Sequence, residues 1–411
     1  MKAMILAAGK GTRVRPLTYD LPKPMIPVLG KPVMAYIVEH LAKCGVQDIM
    51  VNVSYLHEKI ESYFGEGSQF GVRIGYSFEG YMTESGEVIP EALGSAGGMK
   101  KIQEFGRFFD ETTIVLCGDA IIDLDINAAI AEHKRKGAIA SVITREVPWD
   151  KVSDYGVVVS DADGRIQKFQ EKPKREDALS NQVSTGIYIF EPEAIDMIPS
   201  GEVFDIGSQL FPLLAEKGMA FYALNHDFQW LDIGSVTDYW GVLQSLMTGE
   251  IPKMQVPGEQ VRPGVWVGLN TRIDWEDTII TGPVYIGAGC HIEAGSKILG
   301  PTWIGHGSHI CAGATVTRSI LFEYTRVLPE ANLHELIVCN EYAVDRDGNM
   351  SRFSEEEDLG LNNARDRRYA RRTKDSADAA DEVEMDADAD VDAAPLGVAA
   401  SAEQSKLSYA Q

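Results

Sequence analysis

No apolar run in this chain approaches the ~18–20 residues that cross a bilayer. The six small or apolar residues between Met1-Lys2 and Gly9-Lys10 are too few for a secretory leader. Cysteine is scarce. Cys44, Cys117, Cys290, Cys311 and Cys339 are odd in number and include no CxxC pair, so neither a disulfide framework nor a zinc knuckle is indicated. Basic charge is also short: 38 Lys+Arg face 61 Asp+Glu, a formal charge of −23. That balance argues against general nucleic-acid or anionic-membrane binding. It leaves room for a phosphorylated small molecule, which a few placed cations can hold. The expectation is a soluble protein of the reducing cytoplasm. What is present is 411 residues, 45 % of them apolar, enough for two or three domains with a large core.

Three regimes follow one another. Up to about residue 250, short apolar runs alternate with amphipathic stretches: Met4–Ala8 and Asp48–Val53 read as strands, and Val33 to Cys44 has helical spacing. Further strands are expected at Val72–Phe78, Thr113–Leu116, Ala138–Thr144, Gly156–Val159 and Gly186–Phe190, and a helix from Ile126. This alternation predicts an α/β fold, a Rossmann-like mixed and mostly parallel sheet. Asp161-Ala162-Asp163-Gly164 looks like a hairpin turn, which makes some strands antiparallel.

From about residue 265 the period changes. Ile280, Ile286, Ile292, Ile298, Ile304, Ile310, Val316, Phe322 and Leu328 stand six residues apart. A six-residue period fits neither helix nor hairpin and is the signature of a parallel β-helix, expected here as about four stacked coils. The last regime is a charged tail: residues 351–411 carry 15 acidic and 8 basic side chains, −7 of the −23. With few apolar residues to repay ordering entropy, it is expected to be disordered. The domain boundaries expected are 1–250, 251–345 and 346–411.

The most informative local feature is the glycine-rich loop after the first strand, Leu6-Ala7-Ala8-Gly9-Lys10-Gly11-Thr12-Arg13. Such a loop lets backbone N–H groups approach phosphate oxygens. It is not a dinucleotide fingerprint, since Val14 stands where a third glycine is needed and Asn52-Val53-Ser54 supplies no acidic ribose ligand. Nor is it a Walker A loop, because no glycine precedes Gly9-Lys10 at the required distance.

The loop continues as Gly9-x-Gly11-Thr12-Arg13-x-x-Pro16-x-Thr18, followed by Pro22-Lys23-Pro24. In order along the chain come Leu93-Gly94-Ser95-Ala96-Gly97-Gly98, Cys117-Gly118-Asp119, Tyr155-Gly156-Val157-Val158, Phe169-Gln170-Glu171-Lys172-Pro173, Thr185-Gly186-Ile187-Tyr188 and Trp230-Leu231-Asp232-Ile233-Gly234. This set resembles the sugar-1-phosphate nucleotidyltransferases, or nucleotide-sugar pyrophosphorylases, in which a left-handed β-helix is a frequent appendage. Ser184 stands where the family often has Asn, which clouds the sugar.

The resemblance implies that an NTP and a sugar 1-phosphate give an NDP-sugar and pyrophosphate. Such a transfer needs positioning and charge neutralisation more than a covalent nucleophile, and no Ser-His-Asp or Cys-His constellation is apparent. Leu6, Ala7, Ala8, Gly9, Gly11, Thr12, Arg13, Gly94, Ser95 and Gly98 are expected at the nucleotide, and Gly156, Glu171, Lys172 and Ser184 at the sugar phosphate. Arg13, Lys23 and Lys172 are the expected catalytic cations, and Asp119 and Asp232 the ligands of Mg²⁺. For Asp232 the rival reading is a helix N-cap before Val236, and for Arg15 a surface role. Asp125 reads as an N-cap, Trp230 and Trp240 as core.

The pattern most resembles mannose-1-phosphate guanylyltransferases using GTP, with glucose-1-phosphate uridylyltransferases using UTP as the alternative and thymidylyl or cytidylyl variants behind them. A β-helix acyltransferase using His291, His306 or His309, and a non-catalytic regulatory homologue, are the rivals from other classes. Homo-oligomer formation through the β-helix is also expected.

Overall fold

A computed structural model describes residues 1–83, 85–250, 256–353 and 361–363. Of the charged tail expected over 346–411, all but 346–353 and 361–363 lies outside the described residues. Nine strands build one mixed sheet: β1 (Lys2–Leu6), β2 (Asp48–Val53), β3 (Arg73–Phe78), β4 (Thr113–Cys117), β5 (Ala140–Glu146), β6 (Gly156–Ser160), β7 (Ile166–Glu171), β8 (Gln182–Phe190) and β9 (Phe221–Asn225). The order β7-β6-β8-β4-β1-β2-β3 is parallel among β4, β1, β2 and β3, and antiparallel where β8 meets β4 and β6. β5 joins β8 antiparallel and β9 parallel. The turn expected at residues 161–164 closes the β6–β7 hairpin.

Both faces are covered, so the central strands are apolar on both sides. Ala3 and Ile5 of β1 face one cluster with Met34, Leu41 and Leu124, while Met4 between them faces another with Val142, Phe190 and Phe211. The expected helices are present at Val33–Lys43 and Ile126–Arg135, and Asp125 caps the second by accepting from the Ala128 N–H at 3.0 Å. The chain leaves β1 for β2 and β3 on one side and returns to β4 on the other. The carboxyl ends of β1 and β4 therefore flank a topological switch point, the usual place for a ligand crevice.

From Val265 onward, short parallel strands stack into three sheets, the faces of a β-helix of four full coils. Ile286, Ile292, Ile298, Ile304, Ile310 and Val316 fill its interior with almost no exposure. The six-residue period does not run on to Phe322 and Leu328, as the sequence suggests. Ile304 stacks on Leu321, and Leu321, Val327, Leu333 and Val338 take the later interior positions. One turn of the prism is a residue short after Val316, so Phe322 faces outward and packs on Trp303, ring centroids 5.8 Å apart. An antiparallel hairpin, Tyr342–Val344 with Met350–Arg352, carries the folded chain across residue 345.

The β-helix does not merely trail behind the sheet. Tyr285, Trp303, Ile320, Ile337 and Tyr342 bury against Val14, Leu17, Ile26 and Val28 and against the helix Val236–Met247. The Tyr342 hydroxyl donates to Pro16 O at 3.1 Å, and Tyr239 donates to Pro27 O at 2.5 Å. One face of the prism thus braces the segment that carries Arg13 and Lys23. Among the described residues no helix is long and apolar enough to cross a membrane.

Candidate active site

The loop after β1 is folded by its own glycine and by a neighbouring strand. The Ala7 N–H donates to Asn52 Oδ1 at 2.9 Å, and the Thr18 hydroxyl donates to Gly11 O at 2.8 Å. Gly11 takes φ +61°, and a Cβ there would stand 3.0 Å from side-chain atoms of both Lys23 and Thr18. The turn therefore requires glycine. Leu6, Ala8 and Gly9 line the larger of two adjoining cavities, about 430 Å³. Ala7, Gly11 and Thr12 shape the loop and are not among the residues lining either cavity.

Gly94, Ser95, Asn52, Glu79, Asp205 and Gly207 also line that cavity. Gly94 takes φ +77° against the Phe204 carbonyl, and Ser95 opens the helix Ser95–Gly106. The Ser95 hydroxyl donates to Asp205 Oδ2 at 2.7 Å and accepts from the Ile206 N–H at 2.8 Å. Gly98 does not line it; any side chain there would overlap the Glu79 carboxylate. Glu79 is buried; it accepts from Asn52 Nδ2 at 2.7 Å and from the Leu93 N–H at 2.8 Å. Burial pushes its carboxyl above the ordinary range.

The smaller cavity, about 180 Å³, is lined by Arg13, Asp119, Gly156, Glu171, Lys172, Ser184 and Asp232 among others, and shares Cys117, Asp119, Glu171, Lys172 and Tyr188 with the larger one. Glu171 ends β7 in a cleft between two glycines. A Cβ at Gly156 would stand 3.1 Å from its Oε2, and one at Gly207 would overlap that atom. Burial raises its carboxyl, while Lys172 Nζ, 3.6 Å from Oε1, works the other way. Gly186, φ +73°, lets β8 pass over the Cys117 thiol, which burial holds far above its usual range. Ser184 is buried beside Tyr188.

The two aspartates, 113 positions apart in the chain, meet because Trp230–Asp232 pairs antiparallel with Ala120–Ile122, placing Asp232 opposite Ala120. The Ile233 N–H donates to Asp119 O at 3.2 Å. The helix after Asp232 is capped by Ser235, whose hydroxyl accepts from the Asp238 N–H at 3.1 Å, so Asp232 is not its N-cap. Burial and the neighbouring Asp119 charge push the Asp232 carboxyl up to about 7. Lys23 forms an ion pair with Asp119. Burial opposes its charge, but Asp119 and Asp232 outweigh it and hold the ammonium above its ordinary value. Two crowded carboxylates form an oxygen donor set that suits a hard divalent cation.

The structure thus brings Arg13, Asp119, Lys172 and Asp232 to one cavity, with Lys23 bonded to Asp119 beneath it. Arg15 is apart from it, its guanidinium 5.3 Å from the Tyr19 ring centroid. Trp230 packs on Tyr155, centroids 5.1 Å apart, and also lines the smaller cavity, so it is more than core. Trp240 packs between helix and β-helix. Asn52, Glu79, Asp205 and Gly207 were not legible as site residues; only the Asp205 cap, which accepts from the Gly207 and Ser208 N–H groups at 2.9 Å, leaves a local trace.

The family described as Nucleotidyl transferase matches residues 2–249, and the bacterial transferase hexapeptide family matches residues 278–318. A UTP–glucose-1-phosphate uridylyltransferase of Synechocystis sp. is 56 % identical over 85 % of this chain and 89 % of its own length. A mannose-1-phosphate guanyltransferase beta-B of Xenopus laevis is 36 % identical over 58 % of this chain and 62 % of its own. A mannose-1-phosphate guanylyltransferase of Mycobacterium tuberculosis is 29 % identical over 71 % and 82 %. A solved UDP-glucose pyrophosphorylase in complex with UDP-glucose shares the fold, with TM-score 0.51 and 22 % identity over 60 % of this chain and 98 % of that one. A putative glucose-1-phosphate thymidylyltransferase of Bacillus anthracis does so at TM-score 0.51 and 24 % identity over 59 % and 94 %. With the expected loop, sheet and hexapeptide coils in place, this chain belongs to the sugar-1-phosphate nucleotidyltransferases, enzymes of the nucleotidyl transferase family.

Proposed function

We propose that the chain transfers a uridylyl group from UTP to glucose 1-phosphate, giving UDP-glucose and pyrophosphate. The observation that carries this choice is the 56 % identity, over most of both chains, to a relative bearing that name. It favours the alternative of the sequence reading over the guanylyltransferase placed first there, whose Xenopus relative is 36 % identical over 58 % of the chain.

The larger cavity, floored by the β1 loop and walled by Gly94 and Ser95, takes the nucleotide. The smaller takes the sugar phosphate, with Glu171 and Ser184 placed to bond hydroxyl groups. Both cavities reach Asp119 and Lys172, so the two substrates meet there. A phosphate oxygen of the sugar attacks the α-phosphorus, the bond to the bridging oxygen breaks, and pyrophosphate leaves in line. Arg13 lines the smaller cavity beside Asp119, where the two cavities join, and from there neutralises charge on the departing pyrophosphate; Lys23 acts on the α-phosphate and Lys172 on the attacking phosphate. Asp119 and Asp232 would hold Mg²⁺, which screens repulsion between the two phosphates. The β-helix supplies no chemistry to this reaction; it braces the loop and offers a face for self-association.

The test is a matrix of UTP, GTP, dTTP and CTP against glucose, mannose and galactose 1-phosphates, scored by pyrophosphate. UTP with glucose 1-phosphate should give the highest kcat/KM; a GTP–mannose maximum would refute the assignment.

A further inference from the structure

Outside both cavities, the outer face of the β-helix carries a cluster that the transferase reaction does not use. His291 and Glu293 flank the inward-facing Ile292 on one coil, so both point outward; His309 lies directly beyond His291 on the next coil. Their imidazoles stack with centroids 4.8 Å apart and 10° between planes. Glu293 Oε1 stands 2.5 Å from His309 Nε2, and Oε2 accepts from the Ala312 N–H at 2.8 Å, which fixes the carboxylate across the seam between coils. One ligand atom from each residue lies within 4.8 Å of the other two.

We propose that His291, Glu293 and His309 form a binding site for a borderline divalent cation of the Zn²⁺ class, clamping two successive coils. The donor set decides the class. Two imidazoles and a carboxylate suit Zn²⁺, Co²⁺ or Ni²⁺, whereas Mg²⁺ and Ca²⁺ prefer all-oxygen shells. Zn–N bonds of about 2.0–2.1 Å put tetrahedral ligand atoms roughly 3.3 Å apart, which small rotations of the exposed His291 and the half-buried Glu293 and His309 reach from the present spacing. Asp274, Glu276 and Glu293 line the depression beside His291, three carboxylates against the two guanidiniums that stand in register with the histidines, Arg272 and Arg326. At the far end of the ladder Arg326 pairs with His309 in register, closing the site to a further coil. Water can complete the coordination on the solvent side.

The experiment is a titration of the full chain with Zn²⁺, and with Co²⁺ as a spectroscopic probe, in excess Mg²⁺ to occupy the aspartate pair. Expected are one saturable site, Co²⁺ absorption bands of nitrogen coordination, and a thermal midpoint that rises with Zn²⁺. His291→Ala and His309→Ala should each weaken binding by at least about tenfold, the scale on which supporting partners of a metal already matter, and abolish the thermal shift. Mg²⁺-dependent pyrophosphate release should stay at the wild-type rate. If His309→Ala fails to fold, the exposed His291 decides through its own variant. Binding of unchanged affinity in His291→Ala, or no binding by the wild-type chain, overturns the proposal.

Discussion

Gly207→Ala tests the seating of Glu171, which lines both cavities, without replacing a charged group. Gly207 lies in the helical turn Ile206–Leu210, not in the left-handed region, so its backbone accepts alanine. In a helical position that exchange alone gains ~0.5–1 kcal/mol of stability. The new Cβ, however, would overlap Glu171 Oε2 and stand 3.1 Å from its Cδ, where carbon pairs prefer about 3.5–4.0 Å. Glu171 must withdraw by roughly half to one ångström, a misplacement that costs up to ~10²-fold in rate. Initial rates of pyrophosphate release at saturating UTP and varied glucose 1-phosphate should therefore show a fall in kcat/KM of that order, with no loss of thermal stability. In a double-mutant cycle with Glu171→Ala, the Gly207 effect should largely vanish, because the clashing carboxylate is gone. Wild-type kcat/KM in Gly207→Ala, or full additivity in the cycle, would refute the view that the two glycines seat Glu171.

Four further outcomes follow from other contacts. Leu321→Ala should destabilise the chain by ~2–5 kcal/mol in urea unfolding and Phe322→Ala by clearly less, because Leu321 is the interior residue; the reverse order would restore the uninterrupted six-residue register. Tyr342→Phe leaves Pro16 O without its donor and should cost ~1 kcal/mol, with kcat reduced through the braced Arg13 segment; an unchanged kcat would limit the β-helix to a stabilising role. His133 is fully buried, bonded to Ser141 Oγ at 2.8 Å and Glu191 at 3.2 Å, and burial holds it below its ordinary value of 6.5. The unfolded chain therefore takes up the proton first: the stabilisation is complete above about pH 6.5 and fades as pH falls below it, a slope that His133→Gln should flatten in urea titrations. Asp119→Asn should abolish most Mg²⁺-dependent pyrophosphate release while leaving UTP binding measurable by fluorescence or calorimetry; undiminished turnover would remove the metal assignment.

Much of this was legible in residue order. The β1 loop, the Asp48–Val53 strand and the coils through Val316 depend on local sequence, where apolar spacing and glycine leave a direct signature. Two kinds of feature left none. The prism loses a residue after Val316, yet Phe322 and Leu328 keep the expected spacing, because Phe322 is apolar for another reason: it packs on Trp303 in the contact with the catalytic domain. The second kind is the wall of the larger cavity. Asn52 and Glu79 are joined by a bond spanning 27 positions and Asp205 reaches Ser95 across 110; no local pattern distinguishes the first two from other polar residues at strand ends, and Asp205 shows only as the cap of a helical turn. Asp232 lay between these extremes, its rivalry with an N-cap settled by the Ser235 hydroxyl.

The central claim is the pairing of uridylyl with glucose, and the reverse reaction tests it most directly. With pyrophosphate and equal UDP-glucose and GDP-mannose in one tube, the account predicts that UTP and glucose 1-phosphate accumulate while GDP-mannose persists. Preferential loss of GDP-mannose, followed by chromatography of the nucleotides, would contradict it.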